Sequence, residues 1–174
     1  MAKVILIGFM GSGKTTVGKR LADRLGCPHL DLDELIVRTS GQSISRIFAE
    51  HGESGFRELE TQSLAAALTK RGILSTGGGT PVREENRRML IHTDVPVVLL
   101  KTAPGVILER LKRDGTRPLL ETLDRSQFIA LYRKRLGFYH QVADVQIVTD
   151  EKSPDEVVAE IIRRIDPALS PRRQ

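Results

Sequence analysis

Apolar positions along this chain take two alternating forms, short unbroken runs and one-sided helical stripes. Val4-Ile5-Leu6-Ile7 is unbroken, the mark of a strand covered on both faces. After a glycine-rich turn, Val17, Leu21, Ala22 and Leu25 recur at helical spacing, while Lys19, Arg20, Asp23 and Arg24 face away and Gly26 supplies a stop. Further buried strands are expected at Ile73 to Ser75, Val95 to Leu100 and Val145 to Val148, with a short one near His29 to Leu32. Helical patterns fill the intervals, from Asp33 to Thr39, Ser43 to His51, Gly55 to Lys70, Glu84 to Ile91, Pro104 to Arg113, Asp124 to Tyr139 and Pro154 to Ile165. Strands alternating with helices predict an α/β fold, a three-layer α/β/α sandwich on a five-stranded parallel sheet with right-handed crossovers. The active site of such a fold lies at the C-terminal ends of the strands. Residues 1–166 read as one domain and 167–174 as a frayed basic tail.

Bulk properties narrow the class. At 174 residues the chain can bury a core without disulfides, and its single cysteine, Cys27, fits a reducing compartment. The amino terminus enters a strand at once and no apolar run approaches membrane-spanning length, so a cytoplasmic protein with no membrane contact is expected. A net charge of +5 and a pI near 9.7 suggest polyanions, but aromatic residues make up only 4% and Trp is absent, so no nucleic acid is expected as partner. His29, His51, His92 and His140 lack metal-ligand spacing and read as structural or surface residues. A monomer is the expected state.

Gly8-Phe9-Met10-Gly11-Ser12-Gly13-Lys14-Thr15 satisfies G-x-x-x-x-G-K-[ST] between the first strand and the first helix, the context in which that pattern binds phosphate. Backbone N–H groups of the turn point at one anion, and the helix adds its positive end. Gly11, Ser12, Gly13, Lys14, Thr15 and Thr16 are the expected nucleotide ligands, with Lys14 on the β/γ-phosphates and the Thr15 hydroxyl on Mg²⁺. In Leu30-Asp31-Leu32-Asp33 strand geometry would point both carboxylates to one side. Asp31 then holds Mg²⁺ through water and Asp33 meets the accepting hydroxyl; Asp33 also suits the N-cap of the next helix.

With Phe56-Arg57-Glu58-Leu59-Glu60, Gly77-Gly78-Gly79, Thr116-Arg117-Pro118-Leu119-Leu120 and Arg135 followed by Tyr139, the ordered set resembles the shikimate kinase family, a member of the nucleoside-monophosphate-kinase-like P-loop group, from about Lys3 to Ile165. The resemblance implies phosphoryl transfer from MgATP to the 3-hydroxyl of shikimate, giving shikimate 3-phosphate in the chorismate and aromatic amino-acid pathway. It implies that Asp33 binds the accepting hydroxyl, Arg57 and Arg135 clamp the carboxylate, and the backbone of Gly77, Gly78 and Gly79 lines the ring. Arg117 belongs to a mobile lid at about 114–123 and reaches the ATP phosphates, and Arg110 and the Ser153-Pro154 turn flank the adenine. The alternatives are another P-loop small-molecule kinase, such as a gluconate or nucleoside monophosphate kinase, or a non-catalytic ATP-binding switch.

The residue types make chemical sense on their own. A planar guanidinium reads a carboxylate bidentately, and three glycines remove every side chain from one wall. Each arginine also has a plainer reading: Arg57 pairs with Glu60 on a solvated helix face, Arg135 belongs to an ordinary basic face, and Arg117 is an exposed loop residue. Asp33 is expected to be held ionised by Arg57 and Arg135, and so to be a weak base. Phe48, Phe56, Leu119 and Leu120 read as core.

Overall fold

Five strands, β1 (Ala2–Ile7), β2 (His29–Asp31), β3 (Gly72–Ser75), β4 (Val97–Lys101) and β5 (Val145–Val148), form one parallel sheet in the order β2-β3-β1-β4-β5. The computed structural model describes residues 2–113 and 122–165. The unbroken run of β1 has the central place its composition demands: Val4, Ile5, Leu6 and Ile7 are fully buried, between β3 on one side and β4 on the other. Alternate residues serve opposite layers. Ile5, Ile7, Leu74, Val97 and Leu99 face one hydrophobic cluster, and Val4, Leu6, Ile73, Val98 and Leu100 face a second.

Seven helices cover these faces among the described residues: α1 (Lys14–Leu25), α2 (Leu32–Ser40), α3 (Ile44–Leu68), α4 (Glu84–His92), α5 (Pro104–Arg113), α6 (Arg125–Val142) and α7 (Pro154–Ile165). The stripes of α1 (Val17, Leu21, Ala22) and α7 (Val157, Val158, Ile161) pack on the second cluster, and apolar residues of α2 through α6 build the first. The expected three-layer α/β/α arrangement is the one found. None of the described helices is long and apolar enough to cross a membrane.

Local chemistry explains the differences from expectation. The helices expected at 43–51 and 55–70 abut to form α3, broken at Gly52 by φ 65° and ψ −175°, a conformation outside the helical basin that glycine tolerates. The strand expected to reach Leu32 stops at Asp31, because the Asp31 carboxylate accepts from the N–H groups of Asp33 (3.0 Å) and Glu34 (3.2 Å) and starts α2. The N-cap is therefore Asp31, not Asp33, and Asp33 sits in the first helical turn. β4 begins at Val97, since Pro96 has no N–H to give and offers only its carbonyl, which accepts from Ile5 N. Phe48, expected in the core, is 40% exposed and stacks on buried Phe56 with ring centroids 4.7 Å apart. A 3₁₀ turn, Thr80–Val82, follows the glycine triplet.

The layer of α1 sits unusually close to the sheet at Gly18, where an added Cβ would lie 2.5 Å from Ser75 Oγ and 2.6 Å from His29 Nε2. Those two groups are themselves tied, with 2.9 Å between them, and Ser75 Oγ donates to the Lys14 carbonyl. Gly18→Ala should therefore cost about 1–3 kcal/mol by overpacking, and thermal denaturation should show Tm lower by roughly 3–10 °C for a domain of this size. An unchanged Tm would mean that His29 simply swings aside and that the approach of α1 to the sheet is not constrained here.

Candidate active site

The glycine-rich loop between β1 and α1 is shaped by three backbone conformations open chiefly to glycine: φ is 152° at Gly8, 73° at Gly11 and 93° at Gly13. At Gly8 space is limiting as well, since a Cβ would meet Leu100 O at 2.6 Å and Ser12 Oγ at 2.8 Å. Gly13 caps α1 without a side-chain acceptor, so the N–H groups of the first turn have no capping oxygen aimed at them. Ser12 Oγ is buried with no hydrogen-bond partner in the fold. A buried orphan hydroxyl beside a helix start that lacks a side-chain cap fits a polyphosphate, whose oxygens would satisfy both.

Lys14 lies under this loop. Its ammonium donates to the carbonyls of Gly8 (2.7 Å) and Phe9 (3.0 Å) and is almost fully buried. Burial pushes its pKa down to about 8; Asp33 and then Asp31 pull it back up, and Arg135 adds to the depression. Residues 11–16, Arg110 and Pro154, all expected at the nucleotide, line one cavity of about 490 Å³. Arg110 donates to the Gly11 carbonyl at 3.2 Å, which ties α5 to the loop. Thr149 and Lys152 line the same cavity and were not anticipated. Lys152 stands just before Ser153-Pro154, but nothing in its own sequence setting distinguishes it from a surface lysine paired with Glu160.

Thr15 Oγ1 donates to Asp31 Oδ2 at 3.2 Å, so the two expected metal ligands stand side by side. Among the described residues no group of three or more His, Cys, Asp or Glu converges. Mg²⁺ binds through one or two protein oxygens, with water and phosphate completing its shell, and the Thr15–Asp31 pair fits that donor set.

Beside the loop, the three glycines after β3 gather the remaining expected residues. A Cβ at Gly77 would lie 3.3 Å from Asp33 Oδ1, one at Gly78 would lie 3.7 Å from Arg135 Nη1 and 3.1 Å from Met10 N, and one at Gly79 would overlap the Arg57 guanidinium. None of the three has positive φ, so they are glycines for space alone. Asp33, Arg57 and Arg135, from α2, α3 and α6, thus converge on one side-chain-free wall. Arg57 does pair with Glu60 as an i,i+3 couple at 2.8 Å, yet the pair is not solvated, with side chains 16% and 1% exposed. Arg135 rests its guanidinium 5.4 Å from the Phe9 ring centroid, and Tyr139 donates to the Gly78 carbonyl, fixing the wall from α6. Burial lowers the Arg135 pKa and raises that of Tyr139.

The electrostatics of Asp33 reverse the expectation of a weak base. Desolvation, then the negative charges of Asp31 and Glu60, raise its pKa above the usual carboxylate value, and Lys14 and Arg57 offset this only in part. Arg57 is already committed to Glu60, which explains why it fails to dominate. Spacing singled out Asp33 and the family resemblance the arginines, but neither marked Glu60 as buried, because an i,i+3 partner on a helix looks the same whether it is solvated or buried. Arg117 and most of the segment expected to be a lid lie outside the described residues, as do Leu119, Leu120 and the tail.

Comparison with known proteins shows the family. The family model described as shikimate kinase matches residues 10–166. A shikimate kinase of Enterococcus faecalis is 40% identical over 167 residues, covering 95% of this chain and 99% of that protein. One from Persephonella marina is 43% identical over 166 residues, with 95% and 99% covered. Among solved structures, shikimate kinase from Acinetobacter baumannii in complex with shikimate superposes with TM-score 0.83 at 36% identity, covering 92% of this chain and 90% of that one. Both layers of the likeness, sequence along nearly its full length and fold, place this chain in the shikimate kinase family.

Proposed function

We propose that this ATP-dependent kinase transfers the γ-phosphoryl group of MgATP to the 3-hydroxyl of shikimate, giving shikimate 3-phosphate and ADP, and that its own residues divide the work as follows. One observation carries the reading: a phosphate loop with a buried ammonium stands directly beside the wall on which Asp33, Arg57 and Arg135 converge, a Cβ at Gly78 of that wall lying 3.1 Å from Met10 N of the loop. Phosphoryl transfer asks a protein mainly for positioning and for charge fixed in a dry site.

The loop N–H groups and Ser12 hold the β/γ-phosphates, and Lys14 places its ammonium against the charge that develops there. Thr15 and, through water, Asp31 would hold Mg²⁺, which when bound would supply positive charge to the phosphates. Arg57 and Arg135 grip the carboxylate of shikimate, which fixes the ring against Gly77, Gly78 and Gly79. Asp33 orients the 3-hydroxyl and takes its proton late in the transfer, and its raised pKa makes it a better base than a solvated carboxylate. Arg110 and Pro154 flank the adenine. Two guanidiniums on a bare glycine wall suit a small carboxylate better than a nucleobase, which argues against a nucleoside monophosphate as acceptor. The same reading takes the chain as monomeric and cytosolic, in keeping with a free cysteine as its one thiol.

Lys14→Met should lose about 3 kcal/mol or more of transition-state stabilisation, a fall in kcat of roughly 10²–10³-fold. Steady-state kinetics measure this directly, and near-normal turnover would remove the phosphate-loop assignment. Arg57→Ala and Arg135→Ala should each raise the shikimate KM strongly, with a smaller effect on the ATP KM. The double variant should lose less than the sum of the two, since both hold one carboxylate. A neutral amide analogue provides the control: if wild type and variants discriminate equally against it, the clamp is elsewhere.

A further inference from the structure

Behind the substrate wall a buried polar chain leads to Arg57 through Asn86, Thr80 and Glu60, three residues to which none of the roles above is given. Asn86, in the first turn of α4 and fully buried, donates from Nδ2 to the Thr80 carbonyl at 2.9 Å. Thr80, also fully buried, donates from Oγ1 to Glu60 Oε2 at 2.9 Å, and Glu60 Oε1 accepts from Arg57 at 2.8 Å. The same Thr80 opens the 3₁₀ turn that closes the glycine triplet, with Thr80 N donating to the Gly77 carbonyl at 3.2 Å and Val82 N to that of Gly79 at 3.0 Å. Arg87 braces the turn from α4, donating to the carbonyls of Pro81 (2.8 Å) and Val82 (2.7 Å).

We infer that Thr80, seated by Asn86, is a positioning residue that sets the Arg57 clamp and the glycine wall relative to each other. The inference rests on the assignment of Arg57 to the substrate carboxylate. A buried carboxylate such as Glu60 can rotate about its terminal torsion, and a guanidinium bound to it rotates with it. The Thr80 hydroxyl fixes one oxygen of Glu60, which leaves the other pointed at Arg57. Because Thr80 also carries the turn, the guanidinium and the wall it touches are registered through one residue. The Asn86 amide is oriented by this task at a cost: its Oδ1 is buried with no partner in the fold, which an apolar side chain of similar size would avoid.

The test is kinetic. Thr80→Val keeps the volume and deletes the hydroxyl, and the loss of one buried hydrogen bond to a charged group should raise the shikimate KM about tenfold. The ATP KM and the affinity for an ATP analogue should move less than about twofold, and Thr80→Ser, which retains the hydroxyl, should restore the shikimate KM to near wild type. Asn86→Leu should raise the shikimate KM in the same direction. Discrimination between shikimate and its neutral amide should narrow in Thr80→Val, which a merely looser fold would not produce. If Thr80→Val lowers Tm but leaves both the shikimate KM and the amide discrimination unchanged, the chain is only structural and the inference fails. If Arg57→Ala itself leaves the shikimate KM unchanged, it is the clamp assignment that has failed. Should Thr80→Val not fold, Thr80→Ser and Asn86→Leu carry the test, and a wild-type shikimate KM in Asn86→Leu overturns it.

Discussion

The burial of one ammonium beneath the glycine loop governs the rest of this site. Lys14 gives up water for two backbone carbonyls, and burial outweighs the nearby carboxylates enough to bring its pKa down to about 8. Such a group is costly to the folded chain and valuable to the reaction, because an incoming polyphosphate supplies negative charge to an ammonium that burial has stripped of water. The close packing around it follows from this need. The three left-handed or near-left-handed glycines let the backbone wrap the ammonium, and Ser75 holds the Lys14 carbonyl from below. Gly18 admits β2 and β3 to that depth.

Charges around Lys14 alternate in sign across the cleft. Asp31 and Asp33 face it from the start of α2, Glu60 lies behind Asp33, Arg57 pairs with Glu60, and Arg135 closes the far side over Phe9. Each charge is partly compensated within the protein, yet the arrangement leaves guanidinium edges and one carboxylate facing the glycine wall. A ligand with one carboxylate and a nearby hydroxyl completes that pattern. The result is a site preorganised for charge, in which little rearrangement is needed at the moment of transfer.

Fold class, strand count and the phosphate-loop pattern were legible in the chain because their signals are local, whereas Arg57, Arg135 and the glycine triplet were picked out as a set by the family resemblance. An unbroken apolar run marks a buried strand, and a glycine-rich turn before a one-sided helix marks a phosphate site. What escaped was set by contacts between distant segments. The strand end at Asp31 depended on its carboxylate preferring backbone N–H groups over further extension, which spacing alone does not decide. Glu60, Thr80 and Asn86 look like ordinary helix and turn residues until the fold buries all three together. The basicity of Asp33 was misjudged for the same reason: the sequence shows which cations are near but not that Glu60 has already claimed Arg57.

The central claim is that this cleft recognises a small hydroxylated carboxylate as acceptor for the phosphoryl group of ATP. ADP release measured with MgATP and, in separate reactions, shikimate, quinate, gluconate or a nucleoside monophosphate tests it most directly. The account predicts that shikimate exceeds every other acceptor in kcat/KM by about 10²-fold or more, the scale expected when buried polar groups are left unpaired by the wrong ligand, with little ADP formed when no acceptor is present. Comparable or faster turnover with gluconate or a nucleoside monophosphate, or ATP hydrolysis that no acceptor stimulates, would contradict it.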